Sequence, residues 1–244
     1  MNRRLVFAVT FLVGLALTAV GVAGFFRDGG ATLPSILPSA QPSPRVEIQP
    51  GTPVPPPAAS PTPEPSRAPI AGLIIEKLGV DAPVVEKGVA PASIVLKKLG
   101  VNAPRDDSPT MDVPDAASDV AVYPSITGGH PGHPGNSVFS GHVNLCNPPP
   151  RCVQGVFLRL QNLKDGDIVR VRLEDDTEYA YRVTRNWLVS ADNAPMDQII
   201  GPPAEGEGPE VITLITCGGT LVAGPGGARL YAERVIVRAV RTYG

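Results

Sequence analysis

The sequence predicts an all-β domain, an antiparallel barrel or sandwich, set behind an apolar leader and a proline-rich spacer. Three observations carry this reading. Short alternating or β-branched runs recur after residue 70, with Gly, Pro and Asp turns between them. No segment in that region sustains a 3.6-residue apolar period. Proline is also unevenly placed, with thirteen of the 29 prolines between Pro34 and Pro69.

Taken in order, residues 1–27 open with Arg3 and Arg4, followed by 22 uncharged residues from Leu5 to Phe26. As a helix that run spans roughly 33 Å, enough for a hydrocarbon core of about 30 Å. The arginines predict a cytoplasmic N-terminus. The competing reading is a cleaved signal peptide, with small residues at Ala19-Val20-Gly21 and Val22-Ala23-Gly24; its apolar region is typically about 7–15 residues, shorter than this one. Either reading exports the rest of the chain. Residues 28–69 form a semi-rigid, solvated stalk, because proline lacks a backbone donor and favours polyproline II.

Residues 70–244 are long enough for one core. Val169, Val171 and Leu173 alternate in a strand over 168–174, introduced by the Asp165-Gly166 turn. Further strands are read at 179–183, 211–216 and 234–240. Ile74–Pro83 is echoed by Val95–Pro104, which predicts two similar strand–turn units near the N-terminal edge of the sheet.

The net charge of −2 argues against a nucleic-acid partner, which calls for a strongly basic face. Three cysteines are too few for a disulfide-dense scaffold or a four-cysteine zinc site. Cys146 and Cys152 bracket a proline-stiffened loop, and an exported chain favours their pairing; the extended prolines oppose the close approach that pairing needs. Cys217 is then the odd thiol. It ends an apolar strand and precedes Gly218-Gly219, which leave room for a substrate backbone; it reads as either a nucleophile or a buried structural cysteine. His142 ends another strand and suits proton transfer. His130 and His133 fall in a Gly- and Pro-rich stretch that reads as a solvated loop.

Ser140-Gly141-His142-Val143, Thr213-Leu214-Ile215-Thr216-Cys217 and Arg234-Val235-Ile236-Val237-Arg238-Ala239 together resemble the motifs of sortases, cysteine transpeptidases of Gram-positive-type cell surfaces. The resemblance extends over most of 70–244, and Cys217-Gly218-Gly219 looks most like the class E/F group. It implies a closed eight-stranded β-barrel with short helical turns. It also implies Cys217 as nucleophile, His142 as proton shuttle and Arg234 as oxyanion donor, with Arg229 as the rival arginine. The Cys146–Cys152 stretch departs from the plainer connection expected after the histidine.

The same resemblance implies client proteins with a C-terminal Leu-Pro-x-Thr-Gly-like sorting signal and an amine acceptor on a cell-wall precursor or pilin. It requires no metal or organic cofactor. With the leader and stalk, it places the catalytic domain outside the cell on a single-pass anchor. Competing readings are a secreted thiol peptidase, a peptidoglycan L,D-transpeptidase and a non-catalytic binding barrel. The second calls for a cysteine close to its histidine in sequence, whereas 75 positions separate His142 from Cys217.

Overall fold

A computed structural model describes residues 64–101, 105–146, 151–224 and 228–243. The apolar leader and the stalk up to residue 63 lie outside these described residues. In chain order the elements are β1 (Ile70–Ile75), β2 (Val80–Glu86), β3 (Val89–Pro91), α1 (Ala92–Lys98), β4 (Pro109–Met111), β5 (Val120–Val122), α2 (Pro124–Thr127) and β6 (Gly135–Gly141). There follow β7 (Asn144–Leu145), β8 (Val153–Gln154), β9 (Ile168–Leu173), β10 (Glu178–Ser190), α3 (Met196–Ile200), β11 (Glu210–Ala223) and β12 (Arg229–Arg241).

Eight strands close a barrel in the order β1-β2-β5-β6-β11-β12-β10-β9, with β9 returning to β1. Closure leaves the barrel no free edge to template aggregation. The pairs β2/β5 and β6/β11 are parallel and the others antiparallel. The strands read at 168–174, 179–183, 211–216 and 234–240 all fall on barrel strands.

Alternation sorts two apolar clusters on the two faces of the sheet. Ile212 and Leu214 of β11 pack inside with Val235, Val237, Phe139, Val171 and Tyr181. Their neighbour Ile215 joins Ile236, Val138 and Tyr123 in a second cluster on the outer face, with Ile199 of α3 against it. That outer cover is fastened by polar groups. Asn136 Nδ2 donates to the carbonyls of Ile199 and Gly201, Thr213 Oγ1 donates to Asn136 Oδ1, and Arg238 Nη1 donates to Thr213 Oγ1.

The sequence echo is not a structural repeat. Its first copy runs from the end of β1 through a 3-10 turn at Glu76–Leu78 into β2, with Gly79 in the left-handed region at φ 69°. The start of its second copy, Val95–Lys98, lies in the helix α1 rather than in a strand. The first copy lies between paired barrel strands. The second lies off the barrel, so its backbone bonds locally, and Leu96, Lys97 and Lys98 are good helix formers.

Replacing Asn136 by Ala removes the donor to the Ile199 and Gly201 carbonyls and the 2.8 Å acceptor of the Thr213 hydroxyl, leaving Ile199 only the longer Thr213 bond at 3.4 Å. We expect a loss of about 1–3 kcal/mol in urea unfolding. Thr213→Val should cost at least as much, because it leaves the buried Arg238 Nη1 and Asn136 Oδ1 without their shared partner.

Candidate active site

Three adjacent strands meet at one level of the sheet. Parallel pairing of β6 with β11 sets Leu214 opposite Phe139 and Ile215 opposite Ser140. Thr216 Oγ1 then donates to the Gly141 carbonyl at 2.7 Å. Continuing this register brings Cys217 level with His142. On its other side, antiparallel pairing of β11 with β12 sets Cys217 opposite Arg234. Alternation puts all three side chains on the outer face, in line with Ser140, Ile215 and Ile236, at the end of the outer apolar cluster.

Arg229 does not share that level. It pairs with Ala223, six residues beyond Cys217 on β11, and its exposed guanidinium reaches the Leu221 carbonyl. Arg234 is half-buried and bonds through Nη1 to the carbonyls of Glu233 and Tyr231 at 3.0 and 3.3 Å. The other Arg234 donors have no hydrogen bond within the described residues and are free for an incoming oxygen.

His142 is only 5% exposed. Its Nε2 lies 2.8 Å from the Pro114 carbonyl oxygen. A carbonyl only accepts, so Nε2 carries hydrogen and the lone pair of the neutral ring sits on Nδ1. Burial pushes the imidazole below its ordinary value near 6.5, while the Pro114 bond and the Asp115 charge pull the other way. The neutral ring therefore prevails at neutral pH.

The chain after His142 doubles back on it. Phe157 N–H donates to the His142 carbonyl at 2.9 Å. Gly155 lies so close that a Cβ there would fall 2.1 Å from that oxygen, so no other residue fits. Between them, β7 and β8 form a small antiparallel ribbon. Cys146 and Cys152 are joined by a disulfide with Cα atoms 4.0 Å apart, and Cys217 is a free thiol. A cavity of about 190 Å³ opens beside Cys217, lined by Val143, Phe157, Leu158, Gln161 and Tyr231 among others, none of them charged.

Two sequence expectations change here. The space over Gly218 is taken by protein, since a Cβ there would meet Val235 Cγ2 at 2.6 Å and Leu188 at 3.4 Å. Gly219 has φ 72° and sits against the Glu233 carboxylate. Both glycines also line the cavity beside Cys217, so packing and backbone conformation fix them there while that side of the thiol stays open. His130 and His133 are not a solvated loop either. His133 is buried, and its Nε2 meets the Ser66 carbonyl at 3.1 Å. His130 Nε2 meets the Ala68 carbonyl at 3.0 Å. Both rings fasten the start of the domain, where the chain needs donors for its unpaired carbonyls.

The sortase-domain family model matches residues 73–242, and the match takes in all three strands of the site. The chain belongs to the sortase family. Sortases are cysteine transpeptidases acting on peptide bonds, and this chain is one of them. No curated protein sequence matches the chain. Among solved structures, the SrtA sortase from Actinomyces oris is similar at 25% identity and TM-score 0.45, over 71% of this chain and 79% of that one. A Clostridium perfringens sortase D5 transpeptidase is similar at 19% identity and TM-score 0.44, over 72% and 79%. Sortase A from Corynebacterium diphtheriae is similar at 17% identity and TM-score 0.43, over 73% and 63%.

Sequence reading of this sortase singled out Cys217, His142 and Arg234, which meet at one level. It missed Pro114, Thr216 and Gly155. Two of these act through or upon a backbone carbonyl, which no side-chain pattern encodes. Gly155, a glycine directly before an apolar run, was the one legible sign. Among the described residues no group of three His, Cys, Asp or Glu side chains is placed to hold a metal.

His142 should titrate with a midpoint below 6.5 when followed by histidine ring NMR. The sign for stability follows. The unfolded chain takes the proton more readily, so the contribution of neutral His142 is full above its ordinary value and is lost as pH falls through it. A His142→Gln variant should show a flatter fall in melting temperature between pH 7 and 5 than the parent.

Proposed function

We propose that this sortase cleaves a Leu-Pro-x-Thr-Gly-like sorting signal through a thioacyl intermediate on Cys217 and transfers the acyl group to an amine of a cell-wall precursor or pilin. The observation that carries this reading is the shared level of His142, Cys217 and Arg234 on neighbouring strands. The Cys217-Gly218-Gly219 string supports placing the chain with the class E/F group.

In the first step the neutral His142 accepts the Cys217 proton at Nδ1, and Sγ attacks the scissile carbonyl. The carbon–sulfur bond forms, negative charge builds on the carbonyl oxygen, and the free Arg234 donors receive it. Collapse breaks the carbon–nitrogen bond, and His142 returns the proton to the leaving amine. In the second step an incoming amine gives its proton to His142 and bonds to the acyl carbon, the carbon–sulfur bond breaks, and Cys217 Sγ takes that proton back from His142. The uncharged cavity beside Cys217 offers a seat for a peptide segment at the reacting bond.

The leader at Leu5–Phe26 and the proline-rich stalk support an anchored enzyme with its barrel on the outer face of the membrane, where secreted clients emerge. Among the described residues no helix is long and apolar enough to cross a membrane; the leader lies outside them. The proline-rich stalk ahead of Ser66 would set the barrel at a distance from the membrane, with Ser66 and Ala68 already fastened to the domain.

Cys217→Ala should abolish cleavage and amine transfer on a panel of sorting peptides; undiminished turnover would overturn the nucleophile. Arg234→Ala should lower kcat by on the order of 10²-fold, the usual cost of one oxyanion donor. Arg229→Ala should leave kcat within about twofold, as for a surface change. The reverse ranking would exchange the two arginines.

A further inference from the structure

The excursion from the barrel between β2 and β5 ends in a strap, residues 112–117, that lies over His142. Backbone bonds tie the strap's ends. Asp112 N–H donates to the Gly88 carbonyl, Tyr123 Oη donates to the Asp112 carbonyl, and Val156 N–H donates to the Ala117 carbonyl. Between these ties sits Pro114, whose carbonyl holds His142 Nε2. Proline has no N–H, so this residue offers the histidine an acceptor and nothing else.

Four charges grip the same strap. Lys98, the last residue of α1, reaches both Asp112 oxygens at 2.8 Å and Asp115 Oδ1 at 3.0 Å. Lys87, just after β2, reaches Asp115 Oδ2 at 2.6 Å and Asp112 Oδ2 at 4.0 Å. Two ammonium groups and two carboxylates thus alternate around a closed ring, flanking Pro114 on both sides. Asp112, Lys87 and Lys98 are 15%, 18% and 29% exposed and so partly shielded from solvent screening, whereas Asp115 is 66% exposed and relies on its two lysine contacts at 2.6 and 3.0 Å. Networks of this kind hold geometry where an isolated exposed pair does not.

We propose that Lys87 and Lys98 are positioning residues for the reaction. By clamping Asp112 and Asp115 they hold the Pro114 carbonyl against Nε2, which keeps the His142 lone pair on Nδ1, the nitrogen that the proposed mechanism uses as base. This rests on the catalytic reading of His142 and deepens it. Without the clamp the strap relaxes, Nε2 loses its acceptor, and the neutral ring can carry its hydrogen on Nδ1 instead. A ring in that state donates where the mechanism needs it to accept, so the proton of Cys217 has no base. The excursion through β3, α1 and β4 then has a purpose in the chemistry, since it delivers Lys98 and the strap to the site.

The test uses the full-length chain, labelled with 15N-histidine, in detergent micelles, with His142 assigned by His142→Gln. At pH 8 the parent should show His142 with Nε2 protonated and Nδ1 bare. In Lys87→Gln/Lys98→Gln the two nitrogens should move toward each other in shift as the tautomers mix. The same variant should lose on the order of 10-fold or more in kcat, as misplacement of a catalytic group does, with KM changed less than about twofold. Lys98→Arg should restore both readouts relative to Lys98→Gln. Should the double lysine variant fail to fold, Asp112→Asn/Lys98→Gln removes a charge of each sign and leaves no shielded charge unpaired. A folded variant of either kind with the parental nitrogen shifts and parental kcat overturns the proposal. Activity persisting in Cys217→Ala would instead overturn the catalytic reading, while the nitrogen shifts would still decide the clamp.

Discussion

The parallel pairing of β6 with β11 is the constraint on which the rest of the site depends. A histidine and a cysteine 75 positions apart in sequence come level only because Ile215 sits opposite Ser140 and Thr216 bonds to Gly141. A slip of one residue would turn Cys217 to the inner face and leave His142 behind. Parallel neighbours cannot be joined by a tight turn, so the chain must leave the end of β6 and return to the start of β11. That long connection holds the disulfide ribbon, β9, β10 and α3; its residues Phe157, Leu158 and Gln161 line the cavity beside Cys217, and Ile199 of α3 packs in the outer apolar cluster.

Electrostatics at the site follow from how His142 is enclosed. Its carbonyl accepts from Phe157 N–H, with Gly155 packed against it, and its ring meets the Pro114 carbonyl. Burial favours the neutral ring, the strap decides which nitrogen keeps the hydrogen, and Asp115 offsets part of the burial when the ring takes a proton. Nearby, Tyr123 shares a hydrogen bond with Ser140, and burial pushes its hydroxyl up to about 12, so it remains a neutral spacer beside the histidine strand. Arg234 completes the row from the antiparallel side.

Much of this was legible in the sequence because β-strands write their register in alternation. Val169, Val171 and Leu173 marked β9, and the Thr-Leu-Ile-Thr-Cys and Arg-Val-Ile-Val-Arg-Ala strings marked β11 and β12. What alternation cannot show is partnership across the sheet, so Arg234 and Arg229 were separable only once Cys217 was seen opposite the first. Composition misled at His130 and His133, where glycines and prolines look solvated yet the rings are needed as donors to Ser66 and Ala68. It misled again at Val95–Pro104, where the start of the repeated string, Val95–Lys98, is helical in α1. The strap was invisible for another reason: its working atom is the Pro114 carbonyl, which every residue possesses.

The central claim is that Cys217, at the level of His142 and Arg234, carries the acyl group between donor and acceptor. The most direct measurement is the mass of the enzyme after acid quench during turnover of a sorting peptide without added amine. The account predicts an adduct equal to the peptide's N-terminal fragment, mapped to the Cys217 peptide and released by hydroxylamine. Peptide cleavage with no such adduct, or an adduct mapped to another residue, would contradict it.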